Sequence, residues 1–428
     1  MAGIHLHPHD IVDEGTGQIL RLIGDMGDIE YIFPEVNTIF ERNPYPKGRL
    51  PHNPVHEYVQ GLGTLHVQVD AAAVYPNLYQ QIDISILSGE DPLAELKEAT
   101  DGSRYRVIPW VNLLNGDFRG NTANNNVIDF RGRTVDHWLC PNGPDVIPMW
   151  SKILLAITER YGYTTYLIDR IRFPDWAGKE VRPQGIFSCF CPHCRSKMQS
   201  KGIDPLQLIN EMKTITSRLK EQSFESAVTS MIQSETIKRW IVFRQDSVSS
   251  FVERLLAEVK KGNPQIRLWL DLWPPSYSWL LGQDYNRLTK VSDTLKHFPY
   301  HKLGGGADVQ GFIEYFAQTP EKQEEAFQAF LKFFGLNYEL SYESFKRKGY
   351  PLEFIKNEND KVRELSQPGT KIFSGIQMWN IGPEDLFEAI VAARASAADD
   401  VLYYCYGWAE TELFRAVGEW NRLRGKSK

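Results

Sequence analysis

Eight short runs of β-branched and aromatic residues recur along this chain, with helical periodicity between them, and few folds accommodate that rhythm. The runs are Gly3–His7, Glu30–Pro34, Arg106–Leu113, Thr165–Phe173, Arg267–Trp273, Val291–Phe298, Lys371–Met378 and Val401–Trp408. Helical stretches lie between them, among them Gly15–Gly24, Met149–Tyr161, Val248–Lys261 and Pro320–Phe334. Strands that alternate with helices eight times predict a closed parallel sheet, a (β/α)8 TIM barrel. An open doubly wound sheet competes, but it carries a glycine-rich phosphate turn after its first strand, and none stands here. The segments Asn37 to about Thr100 and Asp175 to about Ser247 exceed simple connections and read as long insertions after strands 2 and 4. With 428 residues, 42% of them hydrophobic, the chain suits one such barrel spanning 1–428 with its loops inserted.

Net charge is −6, which supplies no basic footprint, so no nucleic acid partner is expected. No run approaches the roughly 18 apolar residues of a membrane span, so no membrane partner is expected either. The opening Met1-Ala2-Gly3-Ile4-His5 lacks the basic and long apolar regions of a secretory signal, and the expected compartment is the cytoplasm. Five cysteines, an odd number in a long chain, argue against a disulfide framework.

Polar residues concentrate where the strands end, which in such barrels is the functional face. Alternation puts His5 and His7 on one face of strand one and Ile4 and Leu6 on the other. It points Asp271 inward at the top of strand five, and pairs Trp110 with Asn112 and Gln377 with Trp379. Strand four ends Asp169-Arg170-Ile171-Arg172, where an internal ion pair and a substrate role stand as alternatives. Beyond strand one, Asp13 is expected to cap the first helix, while Asp10 lies over the mouth as a catalytic candidate. Tyr404, Tyr406, Trp408 and Glu410 are candidates to line the pocket, and Gly304–Gly306 form a glycine-rich turn after strand six.

The run Gly3-Ile-His-Leu-His-Pro-His-Asp-Ile-Val-Asp-Glu-Gly15 resembles the opening of glycoside-hydrolase-like barrels. Leu167-Ile-Asp-Arg-Ile-Arg-Phe-Pro174, followed by Cys189-Phe-Cys-Pro-His-Cys194, resembles their fourth strand and its loop. Within that group the chain is most similar to glycoside hydrolase family 156, the inverting exo-sialidases. The resemblance implies an aspartate after strand one and a histidine after strand three as the acid–base pair. Here these are Asp10, with Asp13 as rival, and His137. A sialic acid carboxylate calls for guanidinium groups. Arg131, Arg133, Arg170 and Arg172 lie near the mouth; Arg133, Arg170 and Arg172 are taken to hold the anion, with Asn112, Asp169 and Asp271 in support.

Cys189-x-Cys191-x-x-Cys194, with Cys140 upstream, offers four thiolates suited to a closed tetrahedral structural zinc. The pattern resembles the zinc cluster of family 42 β-galactosidases. A reduced, metal-free packing cluster is the alternative, and His193 is an alternative ligand. No cofactor is expected for catalysis. The expected partners are a carbohydrate, sialylated or otherwise acidic, and a second copy of the chain in a homodimer.

Two other functions compete. His5-x-His7 resembles the opening of metal-dependent amidohydrolases, with Asp271 and His297 as further ligands, although no aspartate ends strand eight. A non-catalytic glycan-binding barrel is the other, which binding without turnover would reveal.

Overall fold

The computed structural model describes residues 2–40, 49–176, 183–304 and 309–425. Eight parallel strands close into a barrel: β1 Ala2–Leu6, β2 Ile29–Asn37, β3 in two pieces (Arg106–Val107 and Trp110–Asn112), β4 Thr165–Asp169, β5 Arg267–Leu272, β6 Thr294–His297, β7 Lys371–Gln377 and β8 Asp400–Tyr404. Closure is direct, since β1 pairs with both β2 and β8. The break in β3 falls at Ile108-Pro109, where proline has no N–H to give a ladder; its carbonyl still accepts from Leu167 at 2.9 Å. The order is that of a (β/α)8 TIM barrel, as the strand count predicts.

Alternation along the strands sorts the side chains. Ile4 and Leu6 face the helices, where they join Ile19, Leu22, Ile23 and Phe414. The opposite faces fill the barrel with Tyr31, Phe33, Ile108, Trp110, Leu167, Phe373 and Leu402, flanked by Trp269 and Tyr404. So many rings need room. Gly3 supplies some of it, because a Cβ there would stand 2.7 Å from the Phe33 ring.

The predicted helices are present with longer bounds, Val146–Tyr161 and Glu235–Gly262 among them, and Pro320–Phe334 as read. The first helix is a correction. It begins at Pro8, not near Gly15, and runs to Met26. Proline suits the first helical turn, and Asp10 Oδ2 accepts the backbone N–H of His7 at 2.8 Å. Asp10 is thus the residue that caps this end, while Asp13 lies inside the helix; Gly15, at φ +75°, bends the chain between two helical pieces.

Both long insertions are present. The one after β2 carries Leu78–Gln80, which pairs with Phe118–Gly120 from the loop after β3, and the helix Pro92–Thr100. The one after β4 carries the helices Pro192–Ser200, Pro205–Lys220 and Phe224–Gln233. The loop after β3 adds an unforeseen hairpin, Asn126–Ile128 against Thr134–Leu139. Among the described residues no helix is long and apolar enough to cross a membrane.

Gly3→Ala is expected to destabilise the fold by about 1–3 kcal/mol through overpacking against Phe33. Urea unfolding of both proteins measures it, and an unchanged midpoint would show that the interior can yield.

Candidate active site

Above the aromatic filling, the C-terminal strand ends form a second, polar layer. His5 packs edge-on against Trp110 and Tyr404, with ring centroids 4.6 and 5.2 Å away. Burial, then the Lys296 charge, holds it neutral. One step higher, His7 touches Trp408 at 5.4 Å and Tyr404 at 6.1 Å, and burial lowers it to about 4. Tyr404 is the hub of the mouth, in ring contact with Tyr300, Trp379 and Trp408 as well. Aromatic rings and polar groups therefore stand side by side in this layer. Several buried polar atoms here make no hydrogen bond among the described residues: both His5 nitrogens, His7 Nδ1, Asp10 Oδ1, Trp110 Nε1, Asn112 Oδ1, Asp271 Oδ1 and the Tyr300 hydroxyl. A core satisfies such atoms; a binding site keeps them for a ligand.

Four carboxyl groups enter this layer in different states. Asp10 is fully buried, and burial pushes it up to about 8, with the His7 N–H opposing and nearby Glu14 assisting. It packs against the turn at Gly407, where any side chain would overlap Asp10 Oδ1. Asp169 goes the other way. Burial opposes its charge, but Arg170, Arg172 and Lys296 outweigh burial and hold it below the usual range. Asp271 is pushed up by burial against the pull of Lys296, whose Nζ lies 2.9 Å from Oδ2. Glu35, at the end of β2, accepts from Asn112 Nδ2 at 2.8 Å.

At the strand ends Asp169, Arg170, Arg172 and Asp271 interact, Asn112 pairs in register with Asp169, and Asp10 is linked to Asn112 through His7 and Glu35. For Asp169 and Arg172 the structure shows the internal ion pair. Arg172 is fully buried between Trp138 and Trp273, its Nη1 3.1 Å from Asp169 and its Nε 2.9 Å from Asp175. Arg170, in the left-handed region at φ +54°, also reaches Asp175, at 3.4 Å. His137, Arg131 and Arg133 lie on the hairpin after β3. His137 is half-buried with its ring 5.4 Å from Phe40; Arg133 holds Asp129 through Nε at 2.8 Å, and Arg131 lies over Phe130. Asp13 is taken up by the loop after β2, accepting from Asn53 at 2.8 Å and His56 at 2.7 Å.

Tyr404 and Trp408 line the mouth as expected, but Tyr406 turns away to donate to Glu14 at 2.8 Å, and Glu410 is exposed. Gly305 and Gly306 lie outside the described residues. The amidohydrolase arrangement is not formed. His297 points out of the barrel to Asn359, 2.5 Å away, because its strand neighbour Lys296 takes the inward face. Three residues of the mouth escaped the sequence reading: Glu35, Lys296 and Tyr300. Period-two alternation continued past Pro34 through Tyr31, Phe33 and Glu35 would have found the first, and alternation about His297 the second.

The four cysteines converge behind this layer, all buried and free of disulfides, with sulfurs within 4.8 Å of one another. Cys140 Sγ lies 3.4 Å from Cys194 Sγ and 3.8 Å from Cys191 Sγ. A zinc–sulfur bond of about 2.3 Å gives a tetrahedral edge of about 3.8 Å, so the donor set fits that ion. N–H groups of Asn142 and Ile128 donate to Cys140 and Cys189 at 3.4 Å, outer hydrogen bonds that would orient the sulfurs as ligands. His193 is not among the converging side chains.

The closed (β/α)8 barrel is shared with solved structures. The glycoside hydrolase domain of PgaB (BpsB) from Bordetella bronchiseptica matches with a TM-score of 0.55 at 14% identity, over 97% of this chain and 98% of that one. The catalytic domain of β-amylase from Paenibacillus polymyxa matches at 0.52 and 11%, over 100% and 98%. A β-galactosidase from the psychrophilic Marinomonas ef1 matches at 0.54 and 10%; this chain covers 60% of it. At such identities the likeness is one of fold. No family model and no curated protein matches the sequence.

Because Asp10 binds its proton more tightly folded than unfolded, its contribution to stability is full below about pH 4 and is lost as pH rises through about 8. Asp10→Asn keeps an acceptor for the His7 N–H but cannot ionise. Relative to wild type, the variant is expected to gain stability between pH 5 and pH 8 in denaturant titrations. Parallel pH dependences would show that Asp10 is ionised throughout.

Proposed function

We propose that this protein is a glycoside hydrolase that removes a terminal acidic sugar with inversion, most specifically an exo-α-sialidase. The observation that carries the reading is Asp10, a buried carboxyl held protonated near neutral pH at the rim of an aromatic-lined barrel mouth. A general acid for a glycosidic oxygen needs that state at that place. The solved structures of similar fold are of glycoside hydrolases, which supports a carbohydrate substrate. The resemblance to family 156 adds His137 as the partner of Asp10 and sialic acid as the sugar. Arg133 and Arg170 would meet the anionic group, with Arg172 held behind them by Asp169 and Asp175. Asn112 and Asp271 would hold hydroxyl groups. Trp379, Trp408 and Tyr404 would stack on the apolar faces of the ring.

The assay is release of free sialic acid from an α-sialoside. Wild type should release it, and Asp10→Asn and His137→Ala should each lose about 10²–10⁴-fold in kcat. Early-time NMR should show the product with inverted anomeric configuration. Absence of release from folded wild type removes sialic acid from the reading, and uronides and neutral glycosides are then the substrates to try.

Cys140, Cys189, Cys191 and Cys194 would hold one structural zinc, tying the loop after β3 to the loop after β4. Such a site is closed, so its ion would stabilise these loops and leave the chemistry to the mouth. Elemental analysis should find one zinc per chain, and Cys194→Ser should lose it along with several degrees of Tm. A metal-free protein with the wild-type Tm would make the cluster plain packing.

A further inference from the structure

We infer that Glu35 is a further catalytic residue of this site, the base that takes a proton from the attacking water while Asp10 gives one to the departing oxygen. The inference rests on the glycosidase reading and adds a residue that neither the sequence motifs nor the resemblance supplies. The inward row of β2 climbs from Tyr31 through Phe33 to Glu35, so the carboxylate emerges directly above the aromatic filling. Its side chain is 3% exposed and belongs to the mouth.

The surroundings of Glu35 orient it closely. Oε1 accepts from Asn112 Nδ2 at 2.8 Å. Asn112 is itself locked to Asn37, through its own N–H to Asn37 Oδ1 at 2.9 Å and its Nδ2 to the Asn37 carbonyl at 2.7 Å. Asn37 in turn donates to Gln80 at 2.9 Å, and Gln80 donates to the Gly63 carbonyl at 2.6 Å. Three amide side chains from two barrel strands and an inserted strand thus converge to aim one carboxylate oxygen. Barrel closure does not need this chain of amides; a preorganised base does.

The other oxygen, Oε2, faces His7 Nε2 at 4.0 Å, and His7 Nδ1 faces Asp10 Oδ2 at 3.9 Å. One imidazole therefore separates the two carboxyl groups. Two such gaps with a ring between them allow a separation of up to about 10 Å, which admits the spacing of about 6.5–9.5 Å at which inverting glycosidases place a water. Asp169 and Asp271 hold Arg172 and Lys296. In the step itself, water oxygen bonds the anomeric carbon as the glycosidic C–O bond breaks. The water proton passes to Glu35, the Asp10 proton passes to the leaving oxygen, and solvent exchange restores both groups. His137 remains the partner of Asp10 in this scheme, holding the attacking water while Glu35 takes its proton.

The experiment compares wild type, Glu35→Gln, Glu35→Ala and His137→Ala on a glycoside that wild type cleaves. Glu35→Gln keeps an acceptor for Asn112, so its Tm should hold while kcat falls about 10²–10⁴-fold, KM stays within a few-fold and the acidic limb of the kcat/KM profile disappears. Added formate should restore part of the rate to Glu35→Ala and none to His137→Ala. Full activity of Glu35→Gln, or a loss in Glu35→Ala that formate leaves untouched, overturns the role of Glu35 while wild-type turnover keeps the glycosidase reading. A folded wild type that cleaves no glycoside at all overturns both.

Discussion

The filled interior of the barrel governs nearly everything above it. Tyr31, Phe33, Trp110, Trp269 and Phe373 close the space between the strands, so no water reaches the polar layer from below. Every ionisable group placed on that floor is desolvated on at least one side. Burial is accordingly the largest influence on His5, His7, Asp10 and Asp271. The imidazoles lose their protons and the carboxyls are pressed to keep theirs. An apolar floor under a polar mouth is therefore also a device for choosing protonation states.

Charge that must remain on this floor is neutralised in place. Arg172 is shared by Asp169 and Asp175, and Lys296 is matched to Asp271. Buried pairs of this kind recover little net stability, since desolvation consumes most of the attraction. What they provide is position. The first braces the turn that ends β4 and the second joins β6 to β5, while Lys296 also lies 5.2 Å from the centroid of the Tyr404 ring, beside the aromatic hub. Asp10, without a cation of its own in that set, is the carboxyl left to burial.

Much of this was legible in the chain. All eight strand runs correspond to barrel strands, because period-two alternation survives wherever one face meets helices and the other a closed interior. The inward direction of Asp271 and of His5 and His7 followed from the same alternation. The cysteine spacing anticipated the convergence of four sulfurs across two loops. Less legible was the first helix, where a Pro-x-Asp start competed with a glycine that reads as a breaker, and the chain took both by bending at Gly15. The hairpin carrying His137 was also hidden, since short polar strands such as Thr134–Leu139 lack a strong apolar signature. Glu35 was missed because proline was read as the end of β2, whereas the strand continues through it to Asn37.

By itself, then, the sequence determined the number and order of the strands, the face on which each side chain falls and the places where loops would grow. Those are consequences of local periodicity, which depends only on residues a few positions apart. Only the tertiary structure decided which charges meet and which proton each group holds. Arg172 finds Asp175 within its own loop, but Lys296 finds Asp271 from the next strand, and Asp10 owes its proton to the packing of a turn some four hundred residues away. Solvent exclusion is a property of the whole assembled surface, so no window along the chain contains it.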